Sequence, residues 1–223
     1  MRTFDEILEI AAERKGGRLA VLDDVPTVLG ADELAEIPDD RWLAQMVRGI
    51  FQAGISWTVV ENKWSGIEDA FHGFDIGRCA FMAEDWFEEL MGDARIIRSA
   101  PKVRAVQENA AFIQEISAEH GSFGRWVGDW PSADFAGLLD RLKSGGARLG
   151  GNTGAYALRM MGRDSYLMSG SVVARLVAEG VVAKAPSSKK AWAAVQDAFN
   201  TWMDQSGAGL TVVSRVLAQS ADG

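Results

Sequence analysis

The sequence predicts an all-α protein of about ten helices, the number of separate apolar periods along the chain. Three observations carry that expectation. Apolar residues recur at helical intervals along most of the chain, and strand-like alternation is sustained nowhere. Glycines and prolines fall mainly between the periodic segments. The connections are mostly short, as in compact helical domains.

Taken in order, the first helix runs from Phe4 to about Lys15, with Phe4, Ile7, Leu8 and Ala11 on one face and Gly16-Gly17 as its stop. Residues 18–30 read as irregular, broken by Pro26. Asp39 or Asp40 caps a helix that carries Trp42, Leu43, Met46, Val47, Ile50 and Phe51. Gly54 interrupts, and Ser56 caps a helix through Val59, Val60, Trp64, Ile67 and Phe71. Asp75 caps a short turn, and Ala83 to Met91 forms a helix ending near Gly92. Residues 93–101 lead to a long helix from Lys102 to about Glu119, opened by Pro101 and stopped by Gly121. Phe135 to Leu142 is closed by Gly145-Gly146. A glycine-rich turn, Leu149-Gly150-Gly151-Asn152-Thr153-Gly154, opens a helix from Ala155 to Met161. Helices from Ser171 to Glu179, Ser188 to Met203 and Leu210 to Gln219 complete the set. No repeat or low-complexity tract divides the chain, so residues 1–223 are expected to form one domain.

Composition narrows the function. Hydrophobic residues make up 48%, enough for a substantial core. No apolar run reaches membrane-spanning length, and the acidic start of the chain lacks a signal peptide's apolar core. Cys79 is the single cysteine, which excludes an internal disulfide and a cysteine-based zinc cluster. The two histidines, His72 and His120, lie far apart, so no metal and no other cofactor is expected. A reduced, cytoplasmic setting fits. The net charge of −8 argues against broad DNA affinity and against an architectural DNA-bending role, yet leaves room for a local basic face. Of the eight tryptophans most are expected in the core.

Two segments carry candidate chemistry. In Phe51-Gln52-Ala53-Gly54-Ile55-Ser56-Trp57 an aromatic and an amide precede a glycine break and a tryptophan, a set able to line a pocket for a flat polar ring. The same residues admit a plain reading, with Phe51 and Trp57 as core between two helices. The turn at residues 149–154 also admits two readings, a structural connection or helix-start amides that hold a phosphate.

Residues 42 to about 116 resemble the DNA-3-methyladenine glycosylase I family: Met46, FQAGISWTVV, FHGFD at 71–75, DARIIR at 93–98 and Lys102 within APKVRAVQENA, in the family's order. LGGNTGAYAL looks like the helix-hairpin-helix element of the wider glycosylase superfamily, at about residues 143–162, with Gly151, Thr153 and Tyr156 at matching places. The resemblance implies a two-lobed glycosylase fold and a monofunctional base-excision hydrolase of alkylated purines such as 3-methyladenine in double-stranded DNA. By carry-over Trp57 stacks on or walls the extruded base, and Gln52 and Phe51 shape its pocket. Gly150, Gly151, Thr153 and Gly154 then contact DNA.

The departures are specific. The family's base-reading glutamate falls at Gly49. Its two cysteines and two histidines, which bind zinc and tie the termini together, have no counterpart; Arg2-Thr3-Phe4 stands where an early cysteine belongs, so packing of terminal helices has to replace the tether. The window of the superfamily's catalytic aspartate, Ser169-Gly170-Ser171, holds no acid, and the lyase lysine falls near Ala155. Candidate substitutes are Glu61, Glu68, Asp39 and Asp40, and Glu61 lies four residues after Trp57 on the same helix face.

An N3-alkylated adenine is cationic, so its glycosidic bond is weak and extrusion, stacking and desolvation do most of the work. Stacking contributes about 1–3 kcal/mol per base and a cation–π term roughly 0.5–2 kcal/mol. A lost carboxylate bond removes about 1.5–3 kcal/mol. Slow excision of a labile cationic base survives that comparison. The alternative is a non-catalytic protein that keeps the fold and binds a nucleobase or DNA.

Overall fold

The computed structural model describes residues 1–23 and 25–222; Asp24, in the stretch read as irregular, lies outside the described residues. Among the described residues there are fourteen α-helices, two 3-10 turns and no strand. The helices are α1 (Phe4–Lys15), α2 (Arg18–Leu22), α3 (Ala31–Ala35), α4 (Asp39–Gln52), α5 (Trp57–Ala70), α6 (Ile76–Ala80) and α7 (Glu84–Gly92). They continue as α8 (Ala100–His120), α9 (Phe123–Asp129), α10 (Phe135–Gly145), α11 (Asn152–Met160), α12 (Gly170–Ala178), α13 (Lys189–Ser206) and α14 (Leu210–Ser220).

The count exceeds the expected ten because α2, α3 and α6 are five residues each, too short to show an apolar period. Helix α9 is hidden in the sequence by its glycines, which imitate breakers. A Cβ on Gly124 would stand 2.1 Å from the carbonyl oxygen of Leu34, and one on Gly128 2.8 Å from that of Ala31. Both are places where α9 meets the backbone of α3.

The chain divides into two compact units. One comprises residues 30–129 and 138–161, the other residues 1–29, 130–137 and 162–223. In the first, α4 buries Trp42, which meets Phe123 edge-on at 5.5 Å. Phe112 and Trp126 close this cluster at 6.0 and 5.2 Å from Phe123. The acid expected to cap α4 does other work. Pro38 occupies the cap position, and the Asp39 carboxylate accepts from Ser117 Oγ at 2.5 Å and from the amide of Phe123 at 2.9 Å, which fixes the start of α9.

Beyond α5 the chain makes a left-handed turn, with φ of 54°, 68° and 64° at His72, Gly73 and Phe74. Such a conformation costs roughly 1–2 kcal/mol at each non-glycine residue. Burial of Phe74, stacked between Phe71 at 5.6 Å and Trp64 at 5.7 Å, offsets it. Arg41 holds the turn by donating to the carbonyl of Gly73 at 2.6 Å.

In the second unit a partly buried ionic network joins the ends of the chain. The Arg2 amide and guanidinium donate to Glu179 at 2.8 and 2.9 Å, and Arg175 reaches the same carboxylate at 3.1 Å and Ser220 Oγ at 2.8 Å. Trp202 donates to the Arg2 carbonyl at 3.1 Å, and α1 packs on α14. The tether expected from packing is therefore partly ionic. Desolvation of Glu179 is outweighed by its bonds to Arg2 and Arg175, which hold its carboxyl below the ordinary range.

The tryptophans do not all enter the core. Trp42, Trp126 and Trp202 are buried, Trp64, Trp86, Trp130 and Trp192 are half-buried, and Trp57 is exposed.

Candidate functional site

The site is assembled around the turn between α4 and α5. Gly54 takes φ of 75°, a left-handed geometry that suits glycine and lets α5 turn back along α4. Ser56 holds the cap position of α5, although its side chain makes no capping bond. Lys102 closes the end of α4: its Nζ donates to the carbonyls of Phe51 at 3.0 Å and Ala53 at 2.7 Å.

The two aromatics of this segment part company. Phe51 is fully buried, and its ring meets Phe71 edge-on at 6.3 Å. It therefore supports the turn from the core side, and no face of its ring is open to a ligand. Trp57, the first residue of α5, is 58% exposed. A large aromatic left in solvent at a helix start offers its ring for stacking.

Next to it lies a carboxylate with partners. Gln52 Nε2 donates to Glu61 Oε1 at 2.9 Å, and Arg48 Nε lies 3.6 Å from the same oxygen. The Arg48 guanidinium carbon sits 4.1 Å from the centre of the Trp64 ring. Of the four candidate acids, Glu61 alone joins Gln52. Asp39 is taken by α9, Asp40 pairs with Arg41 at 3.3 Å, and Glu68 pairs with Arg41 at 2.6 Å.

The glycine-rich turn is fixed from α8. Asn109, fully buried, donates to the Ala147 carbonyl at 3.0 Å and accepts from its amide at 2.9 Å. Gly151 takes φ of 61° at the start of α11, with no side-chain cap on the helix amides. A Cβ on Gly154 would come within 2.6 Å of the Leu149 carbonyl oxygen. The turn and α4 meet: a Cβ on Gly49 would lie 3.4 Å from the Thr153 methyl. Gly49 and Thr153, assigned by sequence to separate roles, thus share one spot, and the methyl lies against the place a side chain at 49 would leave α4.

Cations gather on the same side. The Lys143 stem lies along Gly150, where a Cβ would be 3.4 Å away. Arg148, at φ of 58°, donates from Nε to the Pro101 carbonyl at 3.2 Å. Burial, and then the charge of Arg148, pulls the Lys102 ammonium below the ordinary lysine range.

Sequence reasoning missed Arg48, Trp64, Asn109 and Arg148. Arg48 had a signal, because it precedes Gln52 by one helical turn and shares its face. Asn109 had none, since its partner is 38 residues away.

The family's zinc does not fit these residues. Cys79 is buried, its thiol donates to the Phe71 carbonyl at 3.7 Å, and burial, then the nearby Asp75, pushes its pKa up to about 12. A thiol that stays protonated is a poor metal ligand. Among the described residues no three His, Cys, Asp or Glu side chains group to hold a metal. Ser169, in the window of the absent aspartate, caps α12 by accepting from the Val172 amide, and Ala155 is buried in α11.

A family model for methyladenine glycosylase matches residues 35–157. DNA-3-methyladenine glycosylase 1 of Escherichia coli (strain K12) is 42% identical over 64 residues, which cover 28% of this chain and 34% of that protein. The chain thus matches about a third of the length of this curated relative. A crystal structure of 3-methyladenine DNA glycosylase I is similar at a TM-score of 0.50 and 25% identity, covering 65% of this chain and 87% of that one. The 3-methyladenine DNA glycosylase I of Staphylococcus aureus gives a TM-score of 0.51 at 21% identity, with coverage of 72% and 95%, a likeness of fold.

Proposed function

The chain belongs to the methyladenine glycosylase family, and we propose that it excises alkylated purines, 3-methyladenine foremost, from double-stranded DNA. The observation that carries the proposal is Trp57, exposed at the head of α5 on the helix face that also bears Glu61. Its indole stacks on the extruded base. Gln52 orients Glu61, whose carboxylate faces the positive charge that grows on the sugar as the bond to the base breaks. Water adds to the anomeric carbon and loses a proton to solvent, and the cationic base departs neutral with the electron pair of the glycosidic bond. No metal takes part in this reading.

Gly150, Gly151, Thr153 and Gly154 form the turn of a helix-hairpin-helix element, whose glycines let a DNA strand approach the backbone at the start of α11. Lys143, Lys102 and Arg148 supply the local basic face that an acidic protein needs for DNA. Gly49 beside Thr153 leaves the base edge without the family's glutamate and widens the range of alkylated bases admitted. A cytoplasmic setting accords with the single reduced cysteine.

Chromatography of bases freed from methylated duplex DNA, at stoichiometric protein, tests the proposal. Release of 3-methyladenine above the spontaneous rate is expected. A second reading, a nucleobase- or DNA-binding protein without chemistry, is favoured by Gly49 and by the hold of Arg48 on Glu61. Binding of the duplex with no release above the spontaneous rate would establish it instead.

A further inference from the structure

Two cations near the glycine-rich turn stand together, and among the described residues no acid pairs with either. Lys102 is the third residue of α8, a helix of 21 residues with no acid in its first turn and no side-chain cap from Ser99. A cation there is opposed by the helix dipole. Arg148 is held beside it through Pro101, in a left-handed conformation unfavourable for any residue but glycine, asparagine or aspartate. Among the described residues neither cation lies within ion-pair distance of a carboxylate, although the chain holds 31 acidic residues. Like charges, a helix start and a strained backbone all raise the energy of this spot, and one bound anion relieves the electrostatic part.

We propose that Lys102 and Arg148 clamp one backbone phosphate of a DNA strand and tie it to the turn that presents Trp57. The inference rests on the DNA reading above. The donors suit a phosphodiester. An ammonium has three N–H groups, and Lys102 uses two on Phe51 and Ala53, which leaves one for a phosphate oxygen. The Arg148 guanidinium bonds Pro101 through Nε, which leaves its outer nitrogens for a forked grip on the phosphate. Because the same Nζ closes the end of α4, a strand held there is registered against the segment that leads to Trp57. Lys102 is on this account both a phosphate ligand and a positioning residue.

The test measures affinity for a short duplex carrying one stable abasic-site analogue, as a function of sodium chloride concentration. The slope of log affinity against log salt falls by about 0.9 for each phosphate that the protein no longer neutralises. The double variant Lys102→Met, Arg148→Met is expected to flatten the slope by about that much, and Lys102→Arg to keep the wild-type slope. Arg148→Gly separates function from folding. It removes one half of the grip and relieves the strained φ, so duplex affinity at low salt should fall several-fold while the melting temperature holds or rises. Unchanged low-salt affinity in Arg148→Gly overturns the clamp, and that variant decides the matter even where Lys102→Met fails to fold. The outcome is independent of the excision assay. A flattened slope without base release leaves the clamp standing and removes the glycosylase reading; release with an unchanged slope does the reverse.

Discussion

Gln52 and Glu61 are joined across the α4–α5 turn by a hydrogen bond of 2.9 Å, which places a carboxylate one helical turn beyond the exposed Trp57. On the reading proposed above Glu61 stands in for the acid that the family resemblance puts at Gly49, which lies on α4 one turn before Gln52 and carries no side chain. If Glu61 stabilises the developing sugar cation, Glu61→Gln should slow single-turnover release of 3-methyladenine. A charged hydrogen-bond partner contributes about 1.5–3 kcal/mol, so the expected loss is roughly 10- to 150-fold. An unaltered rate removes Glu61 from the chemistry.

Trp57→Ala separates recognition from stability. Its exposed ring contributes little to folding, so the unfolding free energy should change by no more than about 0.5 kcal/mol. Base release should fall by the stacking contribution, about 1–3 kcal/mol or roughly 5- to 150-fold. Equal release by both proteins would discard the proposed stacking surface.

Gly49 tests what the missing glutamate is worth. Its backbone is not left-handed, and an added Cβ meets the Thr153 methyl at 3.4 Å, an ordinary van der Waals approach. Gly49→Ala should then stabilise the protein by about 0.5–1 kcal/mol, the helix penalty of glycine. Gly49→Glu places a carboxylate where the family resemblance puts its base reader, and should raise the rate of 3-methyladenine release about tenfold or more. A fall in rate would show that Thr153 and its surroundings have closed the position.

The terminal network predicts acid sensitivity. The Glu179 carboxyl titrates below its unfolded value, so its contribution is complete above the ordinary glutamate pKa and is lost as pH falls through the lower folded value. Thermal melts should show stability dropping as pH falls below about 4.3, the ordinary glutamate value. In Glu179→Gln that drop should shrink. The variant leaves Arg175 buried without its counter-charge, and a loss of about 3–5 kcal/mol at neutral pH is expected. Chelator should not shift the melt, in contrast to a zinc-tethered fold. A wild-type melt lowered by chelator would contradict the ionic tether.

Much of the fold is legible in the sequence because helices announce themselves locally. The α4 stripe from Trp42 to Phe51, Pro101 at the head of α8 and Gly121 at its end require no partner to be read. The short helices are not legible, because five residues hold too little pattern. Helix α9 is obscured because Gly124 and Gly128 serve close packing on α3 rather than chain breaking. Within the site, Trp57, Gln52 and Glu61 can be named from the sequence, whereas Phe51 and Trp57 look alike by type. Burial separates them into a core residue and an exposed ring.

What the sequence by itself determined is the all-helical class, the family and the segment that presents Trp57, since all three reside in local spacing and contiguous motifs. The tertiary structure alone decided which acid stands beside Gln52, that Thr153 meets Gly49, and that Lys102 and Arg148 share a spot where, among the described residues, no carboxylate pairs with them. The physical reason is range. Helical periodicity is written within a few residues, but electrostatic and hydrogen-bonding partners come from distant segments, as Asn109 does for Ala147 and Arg2 for Glu179.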